Sequence, residues 1–202
     1  MTETPKKHRN SNNKRQYDKK RTNFVKPGTD HRSPDRKPKK PAVSARRAAY
    51  DSLIRCGRDG KYSNIEIDSV LKKTGLEGAE RGFFTTLVYG VIERAVTLDY
   101  ALSLVSDKLP EKLDPEVRTI LRLALYQIIF LDRVPESAAV NEAVVLAKDV
   151  MFSSATFVNA VLRGYLRRFG KGTAGVFSEI SRIQDVNERL SVRFSMSVDV
   201  IS

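Results

Sequence analysis

Apolar residues recur every three or four positions from Ser44 to about Phe169, and this spacing predicts α-helices throughout that part of the chain. The predicted helices cover roughly 44–57, 64–74, 77–92, a short stretch from 97 to 105, 115–131, 136–150 and 154–169. The same residues show no convincing alternation of the kind that β-strands produce. The expected fold class is therefore all-α, as a compact bundle of about seven helices.

Start signals place the beginnings of several of these helices. Asp114-Pro115-Glu116 combines an N-cap residue, a proline in the first turn and an acid near the positive end of the helix dipole. Ser63 and Glu66 have the spacing of a capping box, and Thr97 and Ser153 are predicted N-caps. The helix after Asp114 is apolar on almost every side, so we expect it at the centre of the bundle.

Basic residues are concentrated at the N-terminus. Residues 1–43 hold 14 of the 36 Lys and Arg against four acids, so they carry +10 of the formal net charge of +12. Because this segment has almost no apolar side chains, it cannot offset the entropy of ordering, and we predict a disordered basic tail. Two interpretations of the tail stay open: an electrostatic tether to RNA phosphates, or a solubilising segment with no specific partner.

The scarcity of cysteine and histidine excludes several classes of site within this chain. Cys56 is the single cysteine, and both histidines, His8 and His31, lie in the tail. A zinc site of the usual ligands, a Ser-His-Asp triad and a Cys-His dyad are therefore not expected, and no metal is predicted. No stretch approaches the roughly 20 apolar residues that cross a membrane, so we expect no membrane partner and a cytoplasmic location.

Gly170, Gly172 and Gly175 have the spacing of a dinucleotide-binding loop. Such a loop needs a strand before it, whereas here an arginine-rich helix precedes it, so a flexible linker is the favoured interpretation. Three domains are accordingly predicted: the tail at 1–43, a helical domain at 44–169, and a linker with the start of a further element at 170–202. The last apolar run, around Val200, suggests an element that is interrupted.

Five sequence words occur in an order that resembles the NusB-type RNA-binding domain. They are SARRAA at 44–49, LVYGV at 87–91 with LD at 98–99, LRLALYQ at 121–127, VPESAAVNEAV at 134–144 and FVNAVLR at 157–163. The residues in these five words are most similar to those in the N-terminal domain of the bacterial rRNA cytosine-5 methyltransferases (RsmB, also called Sun or Fmu). The sister branch is the transcription antitermination factor NusB. The resemblance implies a NusB-like helical fold.

The resemblance also implies a function. We expect the rRNA-recognition module of a 16S rRNA (cytosine-5) methyltransferase, and residues 171–202 favour this assignment. The catalytic half of that family binds AdoMet through a Gly-rich loop and uses two cysteines in the reaction. Cys56 matches neither cysteine position and no such loop is present here, so we expect no cofactor and no methyl transfer. The alternative is a stand-alone antitermination factor that binds nascent RNA with a small ribosomal protein. A helical protein-interaction domain without an RNA role also stays open.

Seven arginines are the candidate RNA-binding residues. They are Arg46, Arg47, Arg118, Arg122, Arg163, Arg167 and Arg168. The first two lie at a helix start, which suits phosphate contacts by an rRNA hairpin or a nascent transcript. The next two are one turn apart and are predicted to emerge on one exposed strip. For the last three, at the end of the last core helix, neutralising the helix dipole is an equally good explanation.

Overall fold

The computed structural model describes residues 43–59 and 63–197. In these ranges the chain forms nine α-helices and no strand. The helices are α1 Ala45–Asp59, α2 Ser63–Thr74, α3 Gly78–Glu93, α4 Ala95–Ser103, α5 Pro115–Phe130, α6 Glu136–Val150, α7 Ala155–Phe169, α8 Ala174–Ile180 and α9 Val186–Phe194. Single 3-10 turns cover Pro110–Lys112 and Phe152–Ser154. The predicted basic tail lies outside the described residues.

Helix α5 is the centre of the bundle, as its apolar sequence predicted. It packs against α1, α3, α4, α6 and α7. Its fully buried side chains include Ile120, Leu121, Leu125, Ile128 and Ile129. The prediction of an all-α bundle is thereby confirmed, and the predicted starts of α5 and α6 agree with the structure.

Two predicted N-caps are wrong. Helix α4 begins at Ala95, so Thr97 lies inside its first turn, where the buried hydroxyl donates a hydrogen bond to the carbonyl oxygen of Val192 at 2.5 Å. Helix α7 begins at Ala155, with Ser154 and not Ser153 at the N-cap position. At the start of α4 the polar side chain therefore bonds to a distant carbonyl group and does not cap the helix.

The glycine-rich segment after α7 is a tight turn and not a flexible linker. Gly170 and Gly172 have φ values of 69° and 93°, and the Gly172 N–H donates to the carbonyl oxygen of Ile128 at 3.0 Å. A Cβ atom at Gly175 would lie 2.7 Å from the Cβ atom of Phe169, so the chain passes too close for any larger residue. Because a helix precedes this turn, the dinucleotide-loop interpretation has no support.

After this turn, helices α8 and α9 pack on the bundle. Val176 and Ile180 of α8 and Val192 of α9 are buried within the same apolar cluster as α5. Helix α9 also lies against α4, where the Val96 N–H donates to Ser195 Oγ at 2.9 Å. Whether residues 170–202 lead into a further domain, as the sequence suggested, stays a prediction.

Candidate nucleic-acid interface

The start of α1 is capped by the chain's own side chains. The Arg47 N–H donates to Ser44 Oγ at 3.2 Å, and the Ala45 N–H donates to a carboxylate oxygen of Glu80 at 3.3 Å. Two of the N–H groups that a helix start leaves free are therefore already satisfied. Any anion at this position is contacted chiefly by the neighbouring guanidinium groups and not by the helix amides.

Arg46 is held in a fixed direction. Its Nε donates to Gln127 Oε1 at 2.7 Å, and Gln127, which is buried, in turn donates from Nε2 to the carbonyl oxygen of Leu123 at 2.8 Å. The guanidinium also lies over the ring of Phe83, 4.9 Å from its centroid. A guanidinium has five N–H donors, so this arrangement orients Arg46 while leaving it capacity for a further acceptor.

Arg47 bridges two helices at the surface. Its Nε lies 3.2 Å from Asp51 Oδ1 on α1, and its Nη1 lies 3.6 Å from Asp149 Oδ2 at the end of α6. The side chain is 41% exposed, and the carboxylates are also accessible. Exposed ion pairs of this kind contribute little net free energy, so a phosphate group competes with the two carboxylates at low cost.

Arg118 and Arg122 do not form an exposed strip, and that expectation is wrong. Both bind the carboxylate of Asp99 on α4, with Arg122 Nε 2.7 Å and Arg118 Nε 3.4 Å from Oδ1. Only 28% and 23% of their side chains are exposed. Burial favours a higher pKa for Asp99, but the hydrogen bonds from Arg122 and Arg118 outweigh it, so the pKa of this carboxyl lies below its usual value.

These two arginines line one side of a groove of about 690 Å³. The other walls come from α1, α3, the start of α4 and the segment before α5, and they are mainly apolar: Leu53, Ile54, Val91, Ile92, Ala95 and Leu113. Because Asp99 neutralises much of the local positive charge, this groove is a weaker place for phosphate than the start of α1. The contribution of Arg118 and Arg122 to RNA contact stays a prediction.

Arg163, Arg167 and Arg168 form a separate basic group on α7. All three are exposed. Arg163 Nε donates to Asn159 Oδ1 at 2.9 Å, and Arg168 Nη1 donates to the carbonyl oxygen of Leu104 at 2.7 Å. Arg168 therefore stabilises the C-terminal end of α4 in addition to lying at the end of its own helix.

The sequence did not reveal the partners that orient these arginines. Gln127 and Asp99 belong to sequence words that were noted for their resemblance, but nothing local shows that one holds Arg46 and the other holds Arg118 and Arg122. Among the described residues, no group of three or more His, Cys, Asp or Glu is arranged to hold a metal ion. None of the helices in the described ranges is long and apolar enough to cross a membrane.

Comparison with known proteins places this arrangement in a family context. Residues 43–167 match the sequence model described as the NusB family. The probable ribosomal RNA small subunit methyltransferase B of Bacillus subtilis is 41% identical over 126 residues, which are 62% of this chain and 28% of that protein. The transcription antitermination protein NusB of Bacillus licheniformis is 40% identical over 123 residues, 59% of this chain and 91% of that protein.

One solved structure has a related fold. The protein chain in a structure titled "Crystal Structure of a Plectonemic RNA Supercoil" superposes with a TM-score of 0.56 and 21% sequence identity. The match covers 61% of this chain and 91% of that one. At this level of identity the comparison shows a shared helical fold. The chain spans little more than a quarter of the length of the methyltransferase relatives it matches.

Proposed function

The chain belongs to the NusB family, and from that premise we propose that its folded part binds RNA as the recognition module of an rRNA small-subunit (cytosine-5) methyltransferase. The observation that carries the proposal is the pair Arg46 and Arg47 at the start of α1. One guanidinium is oriented by a buried amide. The other is exposed, is bound by surface carboxylates and lies 5.9 Å from the centroid of the Tyr50 ring. Both stand next to the point where the basic tail joins the bundle.

The distribution of charge supports RNA as the partner. Residues 1–43 carry +10, whereas the remaining 159 residues carry only +2. A nearly neutral bundle needs a local cluster of cations to hold a polyanion, and the tail adds its field at the same place. Counterion release from RNA by the tail then supplies affinity that depends strongly on salt, while the ordered arginines fix the position of the backbone.

The seven candidate arginines do not contribute equally in this proposal. Arg46 and Arg47 make the main phosphate contacts. The group Arg163, Arg167 and Arg168 is a second contact area, because all three side chains are exposed. Arg118 and Arg122 contribute least, since Asp99 already accepts hydrogen bonds from both of them.

Two observations bear on the choice between the methyltransferase and antitermination branches. The chain is 41% identical to a methyltransferase relative, and α8 and α9 extend beyond the family match at 43–167. Coverage of 91% of an antitermination protein favours the second candidate function, in which the domain binds nascent RNA together with a small ribosomal protein. We prefer the first because α8 and α9 are packed parts of this bundle.

AdoMet is the cofactor implied for full-length methyltransferases, and the described residues do not fit it. The resembled family binds it on an α/β domain, whereas residues 43–59 and 63–197 form helices only. The glycine segment with the spacing of a dinucleotide-binding loop is the turn between α7 and α8. The bundle's own contribution is therefore to hold and position RNA.

A salt-dependent RNA titration tests the proposal. The chain and a variant lacking residues 1–43 are titrated against small-subunit rRNA hairpins and unrelated hairpins at several salt concentrations. We expect both proteins to bind, with a shallower slope of log affinity against log salt for the shortened one. Absence of binding by the complete chain at low salt would overturn the proposal. A complex that forms only when a small ribosomal protein is added would favour the antitermination branch.

A further inference from the structure

Phe152 is the most exposed large apolar side chain in the described part of the chain, with 77% of its surface accessible. It lies in the 3-10 turn between α6 and α7. Burying a phenylalanine stabilises a fold, and at this position the chain forgoes that stabilisation. Single apolar residues are common on protein surfaces, so the case for a partner rests on what surrounds this ring.

The turn that carries Phe152 is well ordered by its neighbours. Both the N–H and the hydroxyl of Ser154 donate to the carbonyl oxygen of Met151, at 2.9 and 2.8 Å. Ser154 and Ala155, two and three residues after the exposed ring, are buried. The ring is therefore held outward by a fixed backbone and does not depend on a loose loop for its exposure.

The turn that carries Phe152 follows directly on the end of α6 that contacts α1. Asp149, three residues before Phe152, contacts the guanidinium of Arg47. Three peptide units span at most about 11 Å between Cα atoms, so the backbone at Phe152 is no further than this from the backbone of a residue that pairs with Arg47. Lys148, which is exposed at the end of α6, adds a further positive charge to this surface.

We propose that Phe152 is a stacking platform for an unpaired base of the RNA whose backbone is held at Arg46 and Arg47. This inference rests on the proposed RNA-binding function. Bases of any identity stack on aromatic side chains, and each such contact contributes about 1–3 kcal/mol. Proteins that read RNA sequence commonly target loops, where bases are free to leave the helix and stack in this way.

The rings of Tyr126, Phe130 and Phe177 are less suited to this role. Tyr126 packs on Phe130, with centroids 5.5 Å apart, and Arg94 lies over the Phe130 ring at 5.6 Å. The face of Phe177 is similarly occupied by Arg193 at 5.1 Å. Within the described residues, Phe152 has neither an aromatic nor a guanidinium neighbour recorded against its ring.

The chemistry of this surface favours RNA over a protein as the occupant. The ring belongs to the segment that follows Lys148 and Asp149, and Asp149 contacts Arg47 near the start of α1. A polyanion with flat apolar bases satisfies both features at once, because its phosphates pair with the cations and its bases cover the ring. A protein partner would have to present several acidic side chains around one apolar pocket. The test below includes the result expected for such a partner.

The absence of tryptophan from the sequence makes a direct test practicable. Phe152→Trp introduces the single indole of the chain. Stacking of a base on that indole quenches its emission, whereas phosphate contact elsewhere does not. The control is Phe194→Trp, at a second exposed phenylalanine on α9. Each variant is titrated with a short unlabelled single-stranded RNA, and binding is followed in parallel by the anisotropy of the same RNA carrying a dye.

We expect quenching of the Phe152→Trp variant over the concentration range in which anisotropy rises, and little change for Phe194→Trp. Phe152→Ala should weaken binding about 5- to 150-fold, without changing the salt dependence, because the ring carries no charge. Phe152→Tyr should restore most of the affinity. Circular dichroism of all variants should match the parent chain, since the side chain is exposed.

The outcomes separate this inference from the proposed function. RNA binding with unchanged affinity in Phe152→Ala and no quenching in Phe152→Trp would overturn the stacking platform and leave RNA binding intact. Loss of binding to a small ribosomal protein in Phe152→Ala, with RNA affinity unchanged, would assign the ring to a protein interface and equally overturn the proposal. Failure of the parent chain to bind any RNA would remove the function itself.

Discussion

Gly90 on α3 and Tyr126 on α5 fit together so closely that a Cβ atom at residue 90 would lie 1.9 Å from the Cζ atom of Tyr126. The two residues belong to sequence words that resemble the family, LVYGV and LRLALYQ. Their relationship explains why those words occur together. A residue without a side chain on one helix allows an aromatic ring on the other to lie across it, so Gly90 and Tyr126 mark the place where the two helices cross.

We predict that Gly90→Ala destabilises the chain, although alanine is the better helix former. The added methyl group overlaps the half-buried ring of Tyr126, and such overpacking costs about 1–3 kcal/mol. In a Tyr126→Ala background the same substitution should instead stabilise α3 by up to about 1 kcal/mol, because only helix propensity then changes. Urea unfolding of the four proteins measures both effects. The same sign in both backgrounds would contradict the packing explanation.

We predict that Asp99→Asn is destabilising at neutral pH and much less so in acid. The pKa of Asp99 lies below its usual 3.8 in the folded chain. Its pairing with Arg118 and Arg122 therefore stabilises the fold above that value and is lost as the pH falls through the lowered pKa. Hydrogen bonds to charged groups contribute about 1.5–3 kcal/mol, which sets the expected loss at pH 7.

The measurement is denaturant unfolding of the parent and of Asp99→Asn at pH 7 and at about pH 2. The control is Asp68→Asn, at an exposed position on α2, which should change little at either pH. An equal loss for Asp99→Asn at both pH values would show that the carboxylate charge is not what matters there.

Replacing Arg46 and replacing Arg47 with alanine should change the stability of the fold by different amounts. Arginines at a helix start are ordinarily exposed, and replacing an exposed charge with alanine usually changes stability little. The structure alters that expectation, because Arg46→Ala deprives the buried Gln127 Oε1 of its donor and should cost about 1–3 kcal/mol of stability. Arg47→Ala removes exposed ion pairs and a guanidinium contact 5.9 Å from the Tyr50 ring centroid, and should cost about 1 kcal/mol.

Arg47→Ala is therefore the cleaner test of the RNA surface. We expect it to weaken hairpin binding by about 1–3 kcal/mol, measured by anisotropy with a labelled rRNA hairpin. Arg182→Ala is the matched control, because Arg182 is exposed and pairs with Glu179 on α8. If the folded Arg47→Ala variant binds at full strength, the main surface lies elsewhere, and Arg163, Arg167 and Arg168 become the next group to replace.

Thr97→Val should loosen α9 without opening the centre of the bundle. The substitution keeps the size of the buried side chain but leaves the carbonyl oxygen of Val192 without its donor, at a cost of about 1–3 kcal/mol. Hydrogen exchange should accelerate in α9 and remain slow in α5, because regions of one chain open independently. Uniform acceleration across both helices would show that α9 is part of the same cooperative unit as the core.

The sequence predicted those parts of the fold that depend on local pattern. Helix α6 was predicted at 136–150 and observed there, because a proline and an apolar stripe define it without reference to other helices. The start of α4 was placed wrongly, since the hydroxyl of Thr97 bonds to a residue 95 positions away. No window of sequence contains both partners of such a bond.

In the candidate site, too, local features were predictable from the sequence and contacts between distant residues were not. The arginines were identifiable by type and by position on a helix, but their exposure was not. Arg46 is held by a residue 81 positions away, and the partner of Arg118 and Arg122 lies on another helix. Phe152 was missed altogether, because a single apolar residue in a turn contributes to no periodic pattern.

The bond from Thr97 to Val192 also has a consequence for the order of folding. It closes a loop of almost a hundred residues, and closure of a long loop is entropically costly and slow. Helices α1 to α7 make their contacts without it, and during synthesis they emerge before α9. We therefore expect the docking of α9 to be the last step of folding and its release the first step of unfolding, so that α4 is exposed along one side before the bundle itself is lost.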